Sequence, residues 1–380
     1  MGTVSPSYQQ DDDPPLEGAP LRTRRTTPRA GRLVGLDVAR ALAIIGMIAV
    51  NVGPRGEGGV LGTLYDVPLG RSSVLFMLLA GIGMSILTRG VRLRPPSPMP
   101  WGTVVWRAAL LLAGGLALQM AGHEASVILP LYGVLFLACL PLLRAPTWVP
   151  VALCAVFALA GPLLWLAVRH GTDAFVITEP TLRDPPPAIL DGILFSGSYP
   201  AVVWVVPFLA GLALGRLDLR DRGLQRRLVL GGAAAAAGAY LLSRLLILLT
   251  GQPGRTVDWD RLVSVTAHSQ MPLWLVSSTG AAMLVLGACL LAERWLTRWT
   301  PALAALGRLS LTVYVGHLVA LAVFVRPGPD SLAGGYLVTA VLCLGCLAFA
   351  WAWTRRFRMG PLEALMRWPG NRPGITGARR

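Results

Sequence analysis

The amino-acid sequence predicts an all-α, polytopic integral membrane protein with about ten transmembrane helices. Apolar residues make up 54% of the 380 residues and charged residues only 14%, so the chain carries too little charge to coat a soluble domain of this size. The apolar residues fall in blocks of about 20, the length that lets a helix cross a hydrocarbon core of about 30 Å. Most of the basic residues lie between these blocks, as they do in membrane proteins.

The apolar blocks predict each span in turn. The ten spans are residues 34–52, 71–88, 103–121, 126–143, 148–168, 199–215, 228–249, 271–292, 309–325 and 333–353. The first block follows an arginine-rich stretch, as a signal peptide would, but it contains Asp37 and Arg40 and lacks a small-residue cleavage site. We therefore predict that it is a permanent helix. Three longer loops are expected at residues 53–70, 169–198 and 251–270.

The arginines indicate the topology. They cluster before the first span, after the second, after the sixth, before the ninth and after the tenth: Arg22, Arg24, Arg25, Arg29, Arg32, Arg89, Arg92, Arg94, Arg216, Arg220, Arg222, Arg226, Arg227, Arg294, Arg298, Arg308, Arg355, Arg356 and Arg358. The positive-inside rule then places both termini in the cytoplasm. Because topology explains the net charge of +15, we predict no nucleic-acid partner. The absence of lysine favours a GC-rich bacterial genome and a bacterial plasma membrane.

The chain divides into three predicted regions. Residues 1–31 contain acidic and basic runs without apolar periodicity, which predicts a disordered cytoplasmic tail. Residues 32–368 form the transmembrane domain, and residues 369–380 form a cytoplasmic C-terminal tail. All five cysteines fall within predicted spans, so we predict packing roles and no metal site. Gly211 with Gly215, and Gly231 with Gly232, predict close helix packing.

Charged groups within a membrane are costly, so each one in a span is a candidate functional residue. Asp37 and Arg40 are three residues apart and share a helix face, while Asn51 ends the same span. They form either a boundary ion pair or the polar lining of a ligand path. Arg71 opens the second span, together with Ser72 and Ser73. The hydroxyls there can cap the helix, and its N-terminus with the arginine can also hold an anion.

Histidines occur at both ends of predicted spans and inside one. His123 and Glu124 lie in a tight turn, and His268 with Ser269 precedes the eighth span; both pairs are expected to face outside, either simply solvated or chemically active. Within the ninth span, Tyr314 and His317 are spaced i, i+3. They either hydrogen-bond between helices or handle protons.

The order of these residues resembles a known family. The stretch from Leu36 to Asn51, with its Asp-x-x-Arg and terminal asparagine, resembles the first core helix of transmembrane acyltransferases of the heparan-alpha-glucosaminide N-acetyltransferase type. The ending Gly360-Pro361-Leu362-Glu363 is similar to the signature of a related bacterial membrane family catalogued as domain of unknown function 418. Further similar stretches are Arg71-Ser72-Ser73, residues 128–133 with Tyr132, Tyr199-Pro200, His268-Ser269, Gly307-Arg308 and Leu311-Thr312-x-Tyr314.

The resemblance implies a membrane-bound acyltransferase. Acyl-CoA, in the simplest case acetyl-CoA, would enter from the cytoplasm, and the acyl group would reach a hydroxyl or amine of an envelope glycan, lipid or small metabolite on the far side. The family's catalytic histidine lies in the loop after the helix-ending asparagine, and residues 52–70 contain no histidine. We therefore predict His268 as the general base, Arg71 as the oxyanion stabiliser and His317 as a further catalytic residue.

The binding residues are predicted on the same basis. The donor side would comprise Asp37, Arg40, Asn51, Arg222, Arg226 and Arg227. The acceptor side would comprise Ser72, Ser73, His123, Glu124, Tyr132, Tyr199, Ser269 and Tyr314. Membrane lipid and the acceptor are the predicted partners, and a homo-oligomer is left open. Two alternatives remain: a small-molecule or lipid transporter that uses Asp37, Arg40 and His317 as a hydrated pathway, and a non-catalytic member of the family.

Overall fold

A computed structural model describes residues 2, 32–93, 99–174 and 176–367. The predicted tails, residues 1–31 and 369–380, lie outside the described residues apart from residue 2. Sixteen α-helices occur in the described part: α1 Val34–Val52, α2 Gly59–Asp66, α3 Arg71–Leu87, α4 Arg89–Leu93, α5 Trp101–Leu118, α6 Leu129–Ala138, α7 Trp148–Arg169, α8 Pro186–Asp191, α9 Ala201–Leu214, α10 Arg222–Thr250, α11 Pro272–Leu291, α12 Glu293–Trp299, α13 Pro301–Arg308, α14 Ser310–Ala320, α15 Leu332–Arg356 and α16 Pro361–Leu365.

The all-α prediction is confirmed, and the helices indicate a membrane protein. Within the described residues, seven helices are long and apolar enough to cross a membrane, or up to nine if each bent pair is counted as one span. The prediction of several apolar spans is therefore confirmed, but the count of about ten is not. α6 is short because Pro130 opens it and Pro141 lies in the 3₁₀ turn Leu140–Leu143 that follows; a proline has no N–H to continue the helix.

Two predicted spans belong to bent pairs of helices. The sixth, residues 199–215, contains α9, which forms a pair bent by 65° with α8 and the π-turn Gly192–Ser196; these two lie in the predicted loop 169–198. The ninth, residues 309–325, contains α14 and a π-turn at Leu321–Val325, and α13 precedes it with a bend of 86°. The predicted loop at residues 53–70 also contains a helix, α2. Hydropathy identified these segments as apolar but could not predict their bends.

Glycines set how closely the central helices approach. α1 packs against α13, α3, α11 and α15, and α3 packs against α9. A Cβ at Gly211 of α9 would overlap the carbonyl oxygen of Leu78 in α3, and a Cβ at Gly232 of α10 would meet the carbonyl oxygen of Gly280 in α11. Glycine permits such backbone contacts, so the close packing predicted at Gly211, Gly215 and Gly232 is confirmed, whereas a Cβ at Gly231 would meet nothing within 4 Å.

α1 defines two sides of the bundle. We call the side on which α1 begins the Asp37 side and the side on which it ends the Asn51 side. α3 runs in the opposite direction, because its second half at Gly83 approaches Arg40 near the start of α1. On the Asn51 side, Gly70 before α3 lies against Ala267 and Trp274. The loop that precedes α11 is thereby brought to the start of α3.

Candidate functional site

A cavity of about 280 Å³ opens on the Asp37 side among α1, α3, α5, α6, α14 and α16. Its volume lies near the lower end of the range for small-molecule pockets, about 300–1,000 Å³. The lining is largely apolar and contains few polar side chains: Arg40, Arg107, Tyr132, Ser310 and Glu363. Along α3 the lining extends from Phe76 to Leu87, about 16 Å at 1.5 Å per residue. The cavity is therefore elongated along the helix axes.

Two arginines line this cavity from opposite helices. Arg40 of α1 donates to Oδ1 of Asp37 at 3.0 Å, and Asp37 is only 2% exposed. This ion pair was predicted from the i, i+3 spacing and is confirmed. Arg107 of α5 donates through Nε to the carbonyl oxygen of Met366 at 3.1 Å. A guanidinium has five N–H donors in a fixed plane and suits phosphate and carboxylate groups, so this end of the cavity suits an anion.

α16 forms one wall of the cavity and is held there by hydrogen bonds. Besides the bond from Arg107, the indole N–H of Trp106 donates to the carbonyl oxygen of Leu365 at 2.8 Å. Glu363 accepts from the backbone N–H groups of Leu311 at 2.8 Å and Thr312 at 3.1 Å. These are N–H groups of the first turn of α14, where a carboxylate also interacts favourably with the helix dipole. The Gly-Pro-Leu-Glu ending thus caps the helix that carries Tyr314 and His317.

Aromatic rings continue from the inner end of the cavity into the bundle. Phe76 stacks on Tyr132 with ring centroids 5.7 Å apart and on Tyr314 with centroids 5.9 Å apart. Tyr314 meets His317 edge to face at 5.2 Å. The phenol oxygen of Tyr314 accepts from the backbone N–H of Ile128 at 3.2 Å. These rings extend from the cavity toward the Asn51 side of the bundle.

Asn51 and His317 meet beyond these rings. The side-chain amide of Asn51 lies 3.2 Å from Nε2 of His317, which is 1% exposed. With the amide nitrogen as donor, Nε2 accepts and the ring hydrogen is on Nδ1, which is buried and has no hydrogen-bond partner among the described residues. Arg326 donates to the carbonyl oxygens of Asn51 and His123, both at 2.8 Å. This guanidinium therefore fixes the end of α1 against the π-turn after α14.

A second aromatic cluster surrounds His268 on the Asn51 side. The imidazole stacks against Trp204 with centroids 5.5 Å apart and against Trp274 at 6.0 Å, and it meets Tyr199 edge to face at 5.7 Å. His268 has φ of 58° and Gln270 has φ of 63°, in the left-handed region that side chains rarely adopt. Gln270 accepts from the indole N–H of Trp204 at 2.9 Å. The loop is thus held in an uncommon conformation that directs the histidine inward.

The surroundings of His268 keep its ring neutral. Burial among the aromatic rings lowers the pKa of His268 to about 4, and the positive charge of Arg55 also lowers it, while the nearby carbonyl of Ser198 opposes this shift. Nδ1 lies 3.4 Å from the carbonyl oxygen of Ser198. Since a carbonyl can only accept, the hydrogen is on Nδ1 and Nε2 carries the lone pair. His268 is therefore a neutral imidazole with its basic nitrogen directed away from Ser198.

Polar groups with unused hydrogen-bonding capacity accompany His268. Oγ of Ser269 and the indole N–H of Trp274 are buried and have no hydrogen-bond partner among the described residues. Nearby, the hydroxyls of Ser126 and Ser198 hydrogen-bond to each other at 2.6 Å, and the backbone N–H of Ser198 donates to Glu179 at 3.3 Å. Buried polar groups are rarely left unpaired in proteins. This cluster therefore suits a ligand with hydroxyl or amine groups.

The predicted site residues fall into three groups in the structure. Arg40 and Tyr132 line the cavity, with Asp37 paired to Arg40. Asn51 belongs with Tyr314 and His317, and the cluster around His268 includes Ser269 and Tyr199, with Ser73 beside the Tyr199 phenol. The exposed residues Arg222, Arg226 and Arg227 begin α10 and do not line the cavity. Ser72 packs on Gly46 of α1.

One prediction about the Asn51 side needs correction. His123 is fully buried, not outward-facing: its Nδ1 accepts from the backbone N–H of Ala125 at 3.0 Å, and its Nε2 lies 2.9 Å from the carbonyl oxygen of Leu118. Both ring nitrogens therefore stabilise the turn itself. Arg71 begins α3 as predicted, and its guanidinium donates to the carbonyl oxygen of Val67 at 3.0 Å. The charge of Arg55 acts on His268.

Several site residues were not predicted from the sequence. Arg107 lies in the middle of an apolar block, and its charge inside a span was the signal that could have found it. Arg55 and Glu179 lie in long loops, where nothing in the sequence distinguishes them from solvated charges. Trp204 and Trp274 lie within predicted spans, where the sequence does not distinguish them from other apolar residues. Within the described residues, no group of three or more His, Cys, Asp or Glu could hold a metal ion.

One comparison with known proteins gives a match. Residues 218–370 match the model of a family described as "Protein of unknown function (DUF418)". The match spans α10 to α15 and the α16 cap at Glu363, and it includes His268, Tyr314 and His317. It supports the resemblance to the bacterial membrane family. No curated protein matches the chain.

Proposed function

We propose that this chain transfers an acyl group from acyl-CoA, bound at the Asp37 side, to a hydroxyl or amine acceptor at the Asn51 side. The observation that supports the proposal is the pairing of an arginine-lined cavity, with Tyr132 in its lining, and a second cluster in which aromatic rings surround His268. The Asp37 side bears most of the arginine clusters, so we place it in the cytoplasm of a bacterial plasma membrane. Acyl-CoA is then available on the side where the cavity opens.

The cavity has the features that a thioester donor requires. Its apolar, elongated wall suits the acyl group and the pantetheine arm, and guanidinium groups suit the phosphates that follow that arm. Arg40 and Arg107 provide these groups at the Asp37 end. Arg222, Arg226 and Arg227 lie outside the cavity lining and are proposed to contact the more distant phosphates. The donor would therefore bind with its thioester toward Tyr132 and its charged end toward the cytoplasm.

The acceptor is proposed to bind beside His268. Nε2 of His268 takes the proton of the acceptor hydroxyl or amine as its oxygen or nitrogen attacks the thioester carbonyl carbon. The new C–O or C–N bond forms, the C–S bond breaks, and CoA leaves as a thiolate that takes up the proton from the imidazolium. Arg55, whose positive charge acts on His268, favours the developing oxyanion. Tyr199, which contacts the His268 ring, lies between this cluster and the tyrosines near the cavity.

Binding of acetyl-CoA by the purified chain in nanodiscs tests the proposed donor site. We expect saturable binding, measured by calorimetry, and a tenfold to hundredfold weaker Kd for Arg107→Gln, since a hydrogen bond to a charged group contributes about 1.5–3 kcal/mol. Arg183→Gln removes the same charge on the Asn51 side and should leave the Kd unchanged. Absence of binding to the wild-type chain at millimolar acetyl-CoA would refute the donor site.

The rate of acyl transfer should depend on pH through His268. Its folded-state pKa of about 4 lies below the ordinary value of about 6.5, so the neutral, basic form predominates down to about pH 4. We therefore expect a pH-independent kcat/KM between about pH 5.5 and 7.5 and a decline as pH falls through about 4. Transfer of radiolabelled acetyl groups to an envelope extract, across this range, measures it. A decline centred near pH 6.5 would show that the base is a solvated histidine.

A transporter is a second candidate because of the two bent helix pairs. Broken helices near the middle of a membrane often form the binding sites of transporters, and here the breaks lie beside Tyr199 and next to Ser310. A transport pathway would use Asp37, Arg40 and His317. Cargo flux in proteoliposomes that is indifferent to acyl-CoA and abolished in His317→Ala would favour transport over acyl transfer.

A further inference from the structure

Tyr132 differs from the other buried tyrosines in its hydrogen bonding. Tyr65, Tyr132 and Tyr314 are each at most 5% exposed. The Tyr65 hydroxyl lies 2.9 Å from the carbonyl oxygen of Gly53 and from the hydroxyl of Thr339, and Tyr314 accepts from Ile128. The Tyr132 hydroxyl has no hydrogen-bond partner among the described residues. A buried hydroxyl without a partner is unfavourable unless something else meets it.

The Tyr132 side chain also lines the cavity and is held in one orientation. Its ring stacks on Phe76 with an interplanar angle of 28° and on Phe136 with an angle of 10°. All three residues belong to the cavity lining. Because the flanking rings fix the phenol ring, the position of its hydroxyl is fixed before a ligand binds. Such a preorganised donor contributes to binding without the cost of ordering a flexible side chain.

The neighbourhood of Tyr132 selects the kind of ligand atom that its hydroxyl can meet. The nearby lining residues Phe76, Leu79, Leu129 and Phe136 are apolar, and such walls disfavour a charged group. The guanidinium groups of Arg40 and Arg107 lie toward the Asp37 side of the cavity, where Arg40 approaches Gly83 and Arg107 donates to the carbonyl oxygen of Met366. A ligand that fills the cavity therefore presents an anion at one end and a neutral hydrogen-bond acceptor at the other.

We infer that the Tyr132 hydroxyl donates a hydrogen bond to the thioester carbonyl oxygen of the donor, so that the cavity selects an acyl thioester over free CoA. This inference rests on the proposed donor site and names its ligand more narrowly. Free CoA carries the same phosphates and pantetheine arm but has no thioester carbonyl for Tyr132. The same hydrogen bond strengthens as negative charge develops on that oxygen during attack. Tyr132 would then bind the donor and lower the barrier to transfer.

Tyr132→Phe tests this inference because it removes one oxygen and keeps the ring between its neighbours. We expect the wild-type chain to bind acetyl-CoA more tightly than free CoA, and the variant to lose about threefold to tenfold in acetyl-CoA affinity with unchanged CoA affinity. Tyr240→Phe, which removes a hydroxyl from an exposed residue of α10, is the control and should bind both ligands as the wild type does. Thermal denaturation confirms that both variants fold.

A spectroscopic measurement reports on the hydrogen bond directly. The carbonyl stretch of carbon-13-labelled acetyl-CoA should move to lower frequency in the wild-type complex and return toward the value in an apolar solvent in Tyr132→Phe. If the variant keeps the acetyl-CoA preference and the shifted stretch, this inference is wrong while the donor site stands. If the wild-type chain binds neither CoA nor acetyl-CoA, the proposed function fails and this inference fails with it.

Discussion

Replacement of His268 by asparagine should lower the rate of acyl transfer by about 10²–10⁴-fold, the usual contribution of a positioned general base. The neutral Nε2 is the atom that would take the acceptor's proton, and an amide cannot take its place. Asparagine tolerates the left-handed backbone that His268 adopts at φ of 58° better than most residues do. The loop should therefore keep its conformation, and the loss should appear in kcat rather than in the affinity for acetyl-CoA.

His170→Asn provides the matched control for this experiment. His170 is exposed on the same side of the bundle, and its Nε2 lies 3.2 Å from Oδ1 of Asp258 in an exposed contact. Exposed pairs of this kind contribute little to stability, so this variant should transfer acyl groups at the wild-type rate. Transfer by His268→Asn at more than a tenth of the wild-type rate would exclude His268 as the base. The acceptor cluster would then need another proton acceptor, and the carboxylate of Glu179, which accepts from the backbone N–H of Ser198, is a candidate.

The sequence predicted the helices well where composition decides them. α1, α7, α11 and α15 follow the predicted spans closely, because a continuous apolar block of about 20 residues leaves a membrane helix as the stable outcome. It could not predict the bends at Tyr199 and Leu309, since these depend on which backbone groups find partners in neighbouring helices. Proline and glycine near both positions were signals, but the same residues also occur within unbroken helices such as α7, which contains Pro162.

The candidate site was predictable where a local pattern carries it and not where distant segments meet. The Asp37–Arg40 pair follows from i, i+3 spacing within one helix. The contact of Asn51 with His317 joins residues from α1 and α14, and no spacing rule reports it. Burial of His123 was equally hidden, because the turn that encloses its ring is made by backbone groups. The cavity depends on α16, which is held by hydrogen bonds from Trp106 and Arg107 to backbone carbonyls. Because every residue has a backbone carbonyl, the sequence does not show which ones accept these bonds.

Gly307→Ala should destabilise the bundle more than any other single-methyl change discussed. A Cβ at Gly307 in α13 would overlap the backbone carbonyl of Asp37 in α1, and a backbone group cannot turn aside as a flexible side chain can. Either α13 moves away from α1 or the first turns of α1 distort. Overpacking of this kind costs about 1–3 kcal/mol and sometimes more. Thermal denaturation in detergent should show a midpoint several degrees lower, with weaker acetyl-CoA binding because Arg40 moves with α1.

Gly316→Ala is the matched control, because Gly316 lies on the exposed face of the neighbouring helix α14 and a Cβ there would meet nothing within 4 Å. In a helix, alanine is favoured over glycine by about 1 kcal/mol, so this variant should be as stable as the wild type or more so. The same added methyl group is thus expected to lower the stability in Gly307→Ala and to keep or raise it in Gly316→Ala. This difference separates the effect of helix contact from that of helix propensity. If Gly307→Ala and Gly316→Ala have the same denaturation midpoint, α1 and α13 are not in backbone contact. The Gly307-Arg308 motif would then need an explanation other than the seating of Asp37 and Arg40 beside the cavity.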